Sequence, residues 1–174
     1  CAGIGGVWGS NCALVAAAIT GSSRHPLLIV CDHSTTMDHL VDAWPLFGEM
    51  ACGRFPAWDT HLKDRVVYDD IFADRLQILK SLAAADDSLC PQVIFTSIAS
   101  LLQKVPSRQE LQTSTRHIHL AQQIDLEQWA VWMDDAGMHP TSSVELPGEF
   151  ALRGGLLDIF AADHLQPYRI ETFG

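Results

Sequence analysis

The sequence predicts a parallel α/β domain over residues 1–114 followed by a small α+β domain over residues 115–174. Three observations lead there. Short apolar runs alternate with helix-periodic segments as far as Pro106, a polar stretch over 107–116 then interrupts the pattern, and closely spaced turn signals dominate after Gly137.

Asn11 to Thr20 is rich in alanine and leucine and reads as a helix. Residues 26–31, Pro-Leu-Leu-Ile-Val-Cys, show no alternation, as expected of a strand buried on both faces of a parallel sheet. Thr35, with Asp38 three residues on, is placed to cap a helix whose apolar positions Leu40, Ala43, Trp44 and Phe47 follow helical spacing. A further helix over 69–83 sets Ile71, Phe72, Leu76, Leu79 and Leu82 on one stripe and leads into a second buried strand over 93–96. In such a sheet a ligand would sit beyond the carboxyl ends of the strands.

The polar stretch 107–116 reads as a linker or edge loop and marks the domain boundary. Residues 117–120 follow as an extended piece. A helix over 125–136 would turn Leu126, Trp129, Ala130 and Met133 inward, with Gly137 as its C-cap. Turn signals at Pro147-Gly148, Gly154-Gly155 and Gln166-Pro167 bracket expected strands at 141–145, 156–160 and 168–173.

Composition narrows the function. With 48% hydrophobic and 18% charged residues the chain lies far from the regime of disorder and is expected to fold throughout. Eleven basic residues against 21 acidic ones give a net charge of −10, the wrong sign for a phosphate-binding surface, so the segment is expected to bind duplex DNA poorly. The longest apolar run, residues 12–19, is far shorter than the about 20 residues a bilayer span requires, which predicts no membrane insertion and a cytoplasmic location. The opening on Cys1 without a methionine suggests a piece of a longer protein. Cysteines at 1, 12, 31, 52 and 90 contain no C-x-x-C pair, which argues for reduced thiols rather than a zinc site or a disulfide framework.

Several stretches could carry chemistry. Residues 3–13, Gly-Ile-Gly-Gly-Val-Trp-Gly-Ser-Asn-Cys-Ala, are glycine-rich and precede a helix, the setting of a phosphate loop. Set against G-x-x-x-x-G-K-[ST], Gly6 keeps the first glycine and Gly9 lies within the loop. Asn11 replaces the second glycine, Cys12 the lysine and Ala13 the metal-binding hydroxyl. The expectation is a degenerate P-loop that keeps the loop fold without binding nucleotide, so this segment itself uses no cofactor. His117-x-His119 would place two imidazoles on one strand face, but no third ligand accompanies them and no metal site is expected. Ser10, Ser97 and Ser100 lack a nucleophile-elbow context, and acidic pairs such as Asp134-Asp135 are explained by solvated helix faces, so no catalytic residue emerges.

The most specific stretch is 148–160, Gly-Glu-Phe-Ala-Leu-Arg-Gly-Gly-Leu-Leu-Asp-Ile-Phe, with its continuation 167–174, Pro-Tyr-Arg-Ile-Glu-Thr-Phe-Gly. It resembles the G-E-[FY]-A-x-R-G-x-[LI]-[LIV]-D-[LIV]-F block of UvrB and the transcription-repair coupling factors, with its P-[VY]-R-[IL]-[ED]-F-F-[GD] continuation. Phe55-Pro56-Ala57-Trp58-Asp59-Thr60 resembles the family's F-P-x-W-E-T, Asp70 to Leu79 its D-I-x-x-x-R-L-x-x-L, and Val93 to Val105 its V-[IL]-[IV]-x-x-[VP]-x-[SN]-[AT]-L-x-Q-[KR]-[VL]. Two features differ from UvrB: the loop is degenerate, and only a short linker stands between Trp58 and the next helix where UvrB carries a long hairpin. Both favour the coupling factors. Residues 60–64 lack the usual L-P-Y-[DE], and Thr172 replaces the first aromatic of the F-F pair.

The resemblance implies a UvrB-like, helicase-related domain 1A over 1–114 and a domain 2 over 115–174 that contacts UvrA. Arg153, Arg169 and Phe173 match the family's UvrA-contacting arginines and aromatic. It also implies a longer parent whose other domains hold ATP and magnesium, move along duplex DNA and bind RNA polymerase, coupling transcription to nucleotide excision repair. The residues leave alternatives open: a UvrB-type helicase fragment that verifies damage with ATP, or a plain α/β scaffold. In the second, Arg153 merely pairs with carboxylates; for the UvrA-contacting positions the alternative is that Phe173 packs into the small core and Arg169 pairs with Glu171 or Asp158.

Overall fold

The computed structural model describes residues 3–23, 25–48, 51–58, 70–84 and 90–172. They fall into two compact units, one drawn from Cys1–Thr60 with Asp74–Pro106 and the other from His61–Ala73 with Ser107–Gly174.

The first unit is a three-stranded parallel sheet with helices on both faces. Helix α1 (Asn11–Thr20) precedes β1 (Leu27–Cys31), α2 (Ser34–Ala43) and a short 3-10 turn at Trp44–Leu46. Then come β2 (Cys52–Phe55), α3 (Asp70–Ala83, of which the part from Asp74 onward belongs to this unit), β3 (Val93–Ser97) and α4 (Ile98–Leu101). The strand order is β1-β3-β2, with β3 paired in parallel to both neighbours. All five residues of β3 are buried, and their alternation serves two cores. Val93 and Phe95 meet Ala13 and Ala16 of α1 and Met37 and Leu40 of α2, with Trp44 edge-on to Phe95 at 5.7 Å. Ile94 faces the other way, onto Phe55 and Ile78.

Several expectations for this unit change. The run over 26–31 is an edge strand rather than a strand buried on both sides: Leu27, Ile29 and Cys31 pack inward, while Leu28 and Val30 are about half exposed. An unbroken apolar run cannot distinguish an edge from a centre. Thr35 does not begin α2, which starts at Ser34 after extended His33. Asp32 precedes it, its Oδ1 accepting a hydrogen bond from the His33 amide at 2.8 Å. In α3 the most buried positions are Arg75 and Ile78, and Leu82 of the expected stripe is exposed. Strand β2, Cys-Gly-Arg-Phe, has no apolar run to announce it; Gly53 lies so close to α3 that a Cβ there would collide with Ile78.

The second unit sets one long helix on a four-stranded sheet. The expected linker contains a helix, α5 (Arg108–Thr113), started by a capping box. Ser107 Oγ accepts from the Glu110 amide at 3.2 Å and Glu110 Oε2 from the Ser107 amide at 2.7 Å. Helix α6 (Leu126–Asp135) follows, N-capped by Asp125, whose Oδ1 accepts from the Glu127 and Gln128 amides. It ends as expected at Gly137, at φ +90, with the Gly137 and Met138 amides donating to the Asp134 and Met133 carbonyls.

The strands are β4 (His139–Pro140), β5 (Glu149–Arg153), β6 (Leu156–Ile159) and β7 (Tyr168–Glu171), ordered β4-β5-β6-β7. Residues 117–120 and 141–145 belong to no strand. The residues after the Pro147-Gly148 turn, rather than those before it, make the ladder. Phe150, Leu152, Leu157, Ile159 and Ile170 cover Leu126 and Met133 of α6.

Candidate functional site

Alternation along β5, β6 and β7 leaves the second unit with two unlike sheet faces. The five apolar residues just named occupy one. Register places Ala151 opposite Asp158 and Asp158 opposite Arg169, with Arg153 opposite Leu156 and Leu156 opposite Glu171. Arg153, Asp158, Arg169 and Glu171 therefore share the outer face, around a Leu156 that is 36% exposed.

The strongest contact on that face joins β6 to β7. Arg169 donates from Nε to Asp158 Oδ1 at 2.7 Å and from Nη2 to Oδ2 at 2.8 Å, a two-bond fork. Its side chain is 57% exposed, whereas that of Asp158 is only 20% exposed. The Arg169 hydrogen bond, aided by the charges of Arg169 and Arg153, holds the Asp158 carboxyl below the ordinary range, and Asp158 raises the Arg169 guanidinium in return. Arg153 sits where the strand enters the Gly154-Gly155 turn, and its guanidinium donates no hydrogen bond among the described residues. Of the partners the sequence left open for Arg169, the hydrogen-bonded one is Asp158. The structure thus brings Arg153 and Arg169 onto one face; Phe173 lies outside the described residues.

The glycine-rich loop has a different character. Gly6 and Gly9 take left-handed conformations, at φ +78 and +59. The loop closes on itself ahead of α1: the amides of Asn11, Cys12 and Ala13 donate to the carbonyls of Trp8, Gly9 and Ser10 at 3.3, 3.0 and 3.0 Å. These are the amides that a phosphate cradle would leave free. A cavity of about 510 Å³ beside the loop is lined by Gly9, Ser10, Cys12, Thr36, His39 and Leu40, with no lysine or arginine among them.

A third cluster is internal to the first unit. Arg75, 2% exposed, donates from Nη1 to the Pro56 carbonyl at 2.6 Å and to Ser100 Oγ at 2.7 Å. Its guanidinium lies over Phe55 and Trp58, and Gln103 accepts from the Trp58 amide at 2.7 Å and donates to the Trp58 carbonyl at 3.1 Å. Sequence reasoning gave Arg75 no role. The R of the D-I-x-x-x-R-L segment was the available signal, since a charged residue on an otherwise apolar helix face implies a buried partner set.

Among the described residues no group of three histidine, cysteine or acidic side chains is placed to hold a metal ion, and no helix is long and apolar enough to cross a membrane.

Known proteins resemble this chain across both units. A family model described as the UvrB interaction domain matches residues 117–174, which hold the whole of the charged sheet face. The transcription-repair-coupling factor of Mycobacterium tuberculosis is 32% identical over 167 residues, covering 92% of this chain and 13% of that protein. That of Escherichia coli is 25% identical over 171 residues, covering 98% of this chain and 14% of its own length. That of Bacillus subtilis is 26% identical over 108 residues, 62% of this chain. The chain thus spans about an eighth of the length of the first relatives.

Proposed function

The chain belongs to the transcription-repair-coupling factors and carries a UvrB interaction domain in residues 117–174, and from that premise we propose that it is a non-catalytic module that recruits UvrA for nucleotide excision repair. The observation that carries this reading is the coincidence of the matched domain with a sheet face on which Arg153 and Arg169 stand together. The unit is otherwise acidic: residues 115–174 hold three arginines (Arg116, Arg153, Arg169) against nine acidic residues. Two of the three arginines on one face is the arrangement expected where a partner presents carboxylates, because the planar guanidinium offers several donors in a fixed geometry. Exposed Leu156 adds apolar area between them.

The glycine-rich loop supports the same division of labour. Cys12 and Ala13 supply neither the ammonium nor the hydroxyl that nucleotide and magnesium require, and the loop amides are engaged. We place ATP and magnesium use, translocation on duplex DNA and binding of RNA polymerase in other parts of a longer protein.

Co-elution tests the reading. The purified chain mixed with UvrA is expected to migrate as a complex on size exclusion, and the R153E variant to migrate apart from UvrA. Failure of the unmodified chain to co-elute at tens of micromolar, well above typical working affinities, would contradict it.

A further inference from the structure

We propose that Asp158 is a positioning residue of the UvrA-binding face: it clamps Arg169 so that the remaining guanidinium donors stay presented on the face that also carries Arg153. The inference rests on the UvrA reading above and deepens it.

Three observations carry it. The fork uses Nε and one Nη2 hydrogen of Arg169, and Nη1 makes no hydrogen bond among the described residues, so the outer edge of the guanidinium is open to a second acceptor. The partners are unequal in exposure, 20% for the Asp158 side chain against 57% for Arg169, so the carboxylate is the sheltered anchor and the arginine the presented group. Asp158 also stands diagonal to Arg153 on the same face, and its carboxylate feels the charge of both arginines.

The physical gain is prior ordering. An exposed arginine surrenders rotamer freedom when a partner fixes it, and that loss opposes binding. A clamp formed within the free module removes part of that cost before the partner arrives. Asp158 also partly neutralises Arg169, which weakens long-range attraction. Ordering and neutralisation therefore act in opposite directions, and the kinetics separate them. If positioning dominates, loss of the carboxylate shortens the lifetime of the complex; if neutralisation dominates, the complex forms faster and lasts at least as long.

The test is surface plasmon resonance on immobilised UvrA with the unmodified chain, D158N, R169A, the D158N/R169A double variant and R153E, each checked by its melting temperature. D158N is expected to dissociate about threefold faster, in line with a partial loss of side-chain ordering and with affinity changes residing mainly in the off-rate. In the R169A background the same change is expected to alter the off-rate less than twofold, because a clamp with nothing to hold has no effect; a fold defect would persist there. An unchanged or slower off-rate for D158N, or an equal effect of D158N with and without Arg169, overturns the positioning role. If R153E and R169A both bind like the unmodified chain, it is the choice of face that fails.

Discussion

Arg75 lies over the face of Phe55, its guanidinium carbon 4.2 Å from the ring centroid, and this contact ties the middle of α3 to the end of β2. The stack is joined by hydrogen bonds to the Pro56 carbonyl and Ser100, so one side chain secures a strand end and two helices. No carboxylate pairs with it among the described residues, and burial alone pulls its basicity below the usual guanidinium range.

That environment makes Arg75 structural. Truncation to alanine leaves a cavity and removes two buried hydrogen bonds, and is expected to cost about 3 kcal/mol of unfolding free energy. Methionine, which refills the volume without a desolvated charge, is expected to cost about half as much. Denaturant unfolding measures both. An alanine variant as stable as the parent would show that the cluster contributes nothing.

Gly53 and Ile78 make a second test of the first unit. A Cβ at position 53 would collide with Ile78 and crowd Pro91. G53A is expected to lose about 1–3 kcal/mol through overpacking. I78A opens the same space, so the double variant is expected to be more stable than the sum of the single losses predicts. Strict additivity in denaturant titrations would place the strain elsewhere.

Glu149 gives the second unit a pH dependence. Its Oε2 accepts from the Glu145 and Leu146 amides at 2.8 and 2.9 Å, and those bonds hold its carboxyl below the ordinary range. A carboxyl depressed in the folded state contributes stability that is present above its unfolded pKa and lost as pH falls through the folded one. Hydrogen exchange at the Glu145 and Leu146 amides is therefore expected to lose protection, relative to intrinsic rates, as the pH falls below the ordinary glutamate range and through the depressed Glu149 titration. E149Q should remove that dependence; a persisting acid transition at those amides would assign it to another group.

Much of this was legible before the structure. Gly137 marked the end of α6 because a left-handed glycine is local chemistry, whereas Asp125, read as the first helical residue, is the N-cap; the central strand announced itself by apolar continuity. The failures share one cause: β1 as an edge, β2 without an apolar run, and β5 after rather than before its turn all depend on which strands pair, which no local window contains. Helix α5 was different, since Ser107 and Glu110 spelled a capping box that the polar stretch obscured. At the site, the motif supplied Arg153 and Arg169, whereas the choice of Asp158 over Glu171 required the β6–β7 register.

The loop yields a prediction on ligands. Titration of a fluorescent ATP analogue with magnesium is expected to show no saturation up to about millimolar concentration, because neither lysine nor hydroxyl ligand is present. Magnesium-dependent saturation in the micromolar range would show that the loop opens and still cradles phosphate.

The central claim is that Arg153 and Arg169 form a UvrA-binding face, and isothermal titration of UvrA into folded charge-reversal variants tests it most directly. R153E and R169E are each expected to lose about 2 kcal/mol or more of binding free energy, as hot-spot arginines do, with melting temperatures within a few degrees of the parent. Parental affinity in both variants would contradict the account.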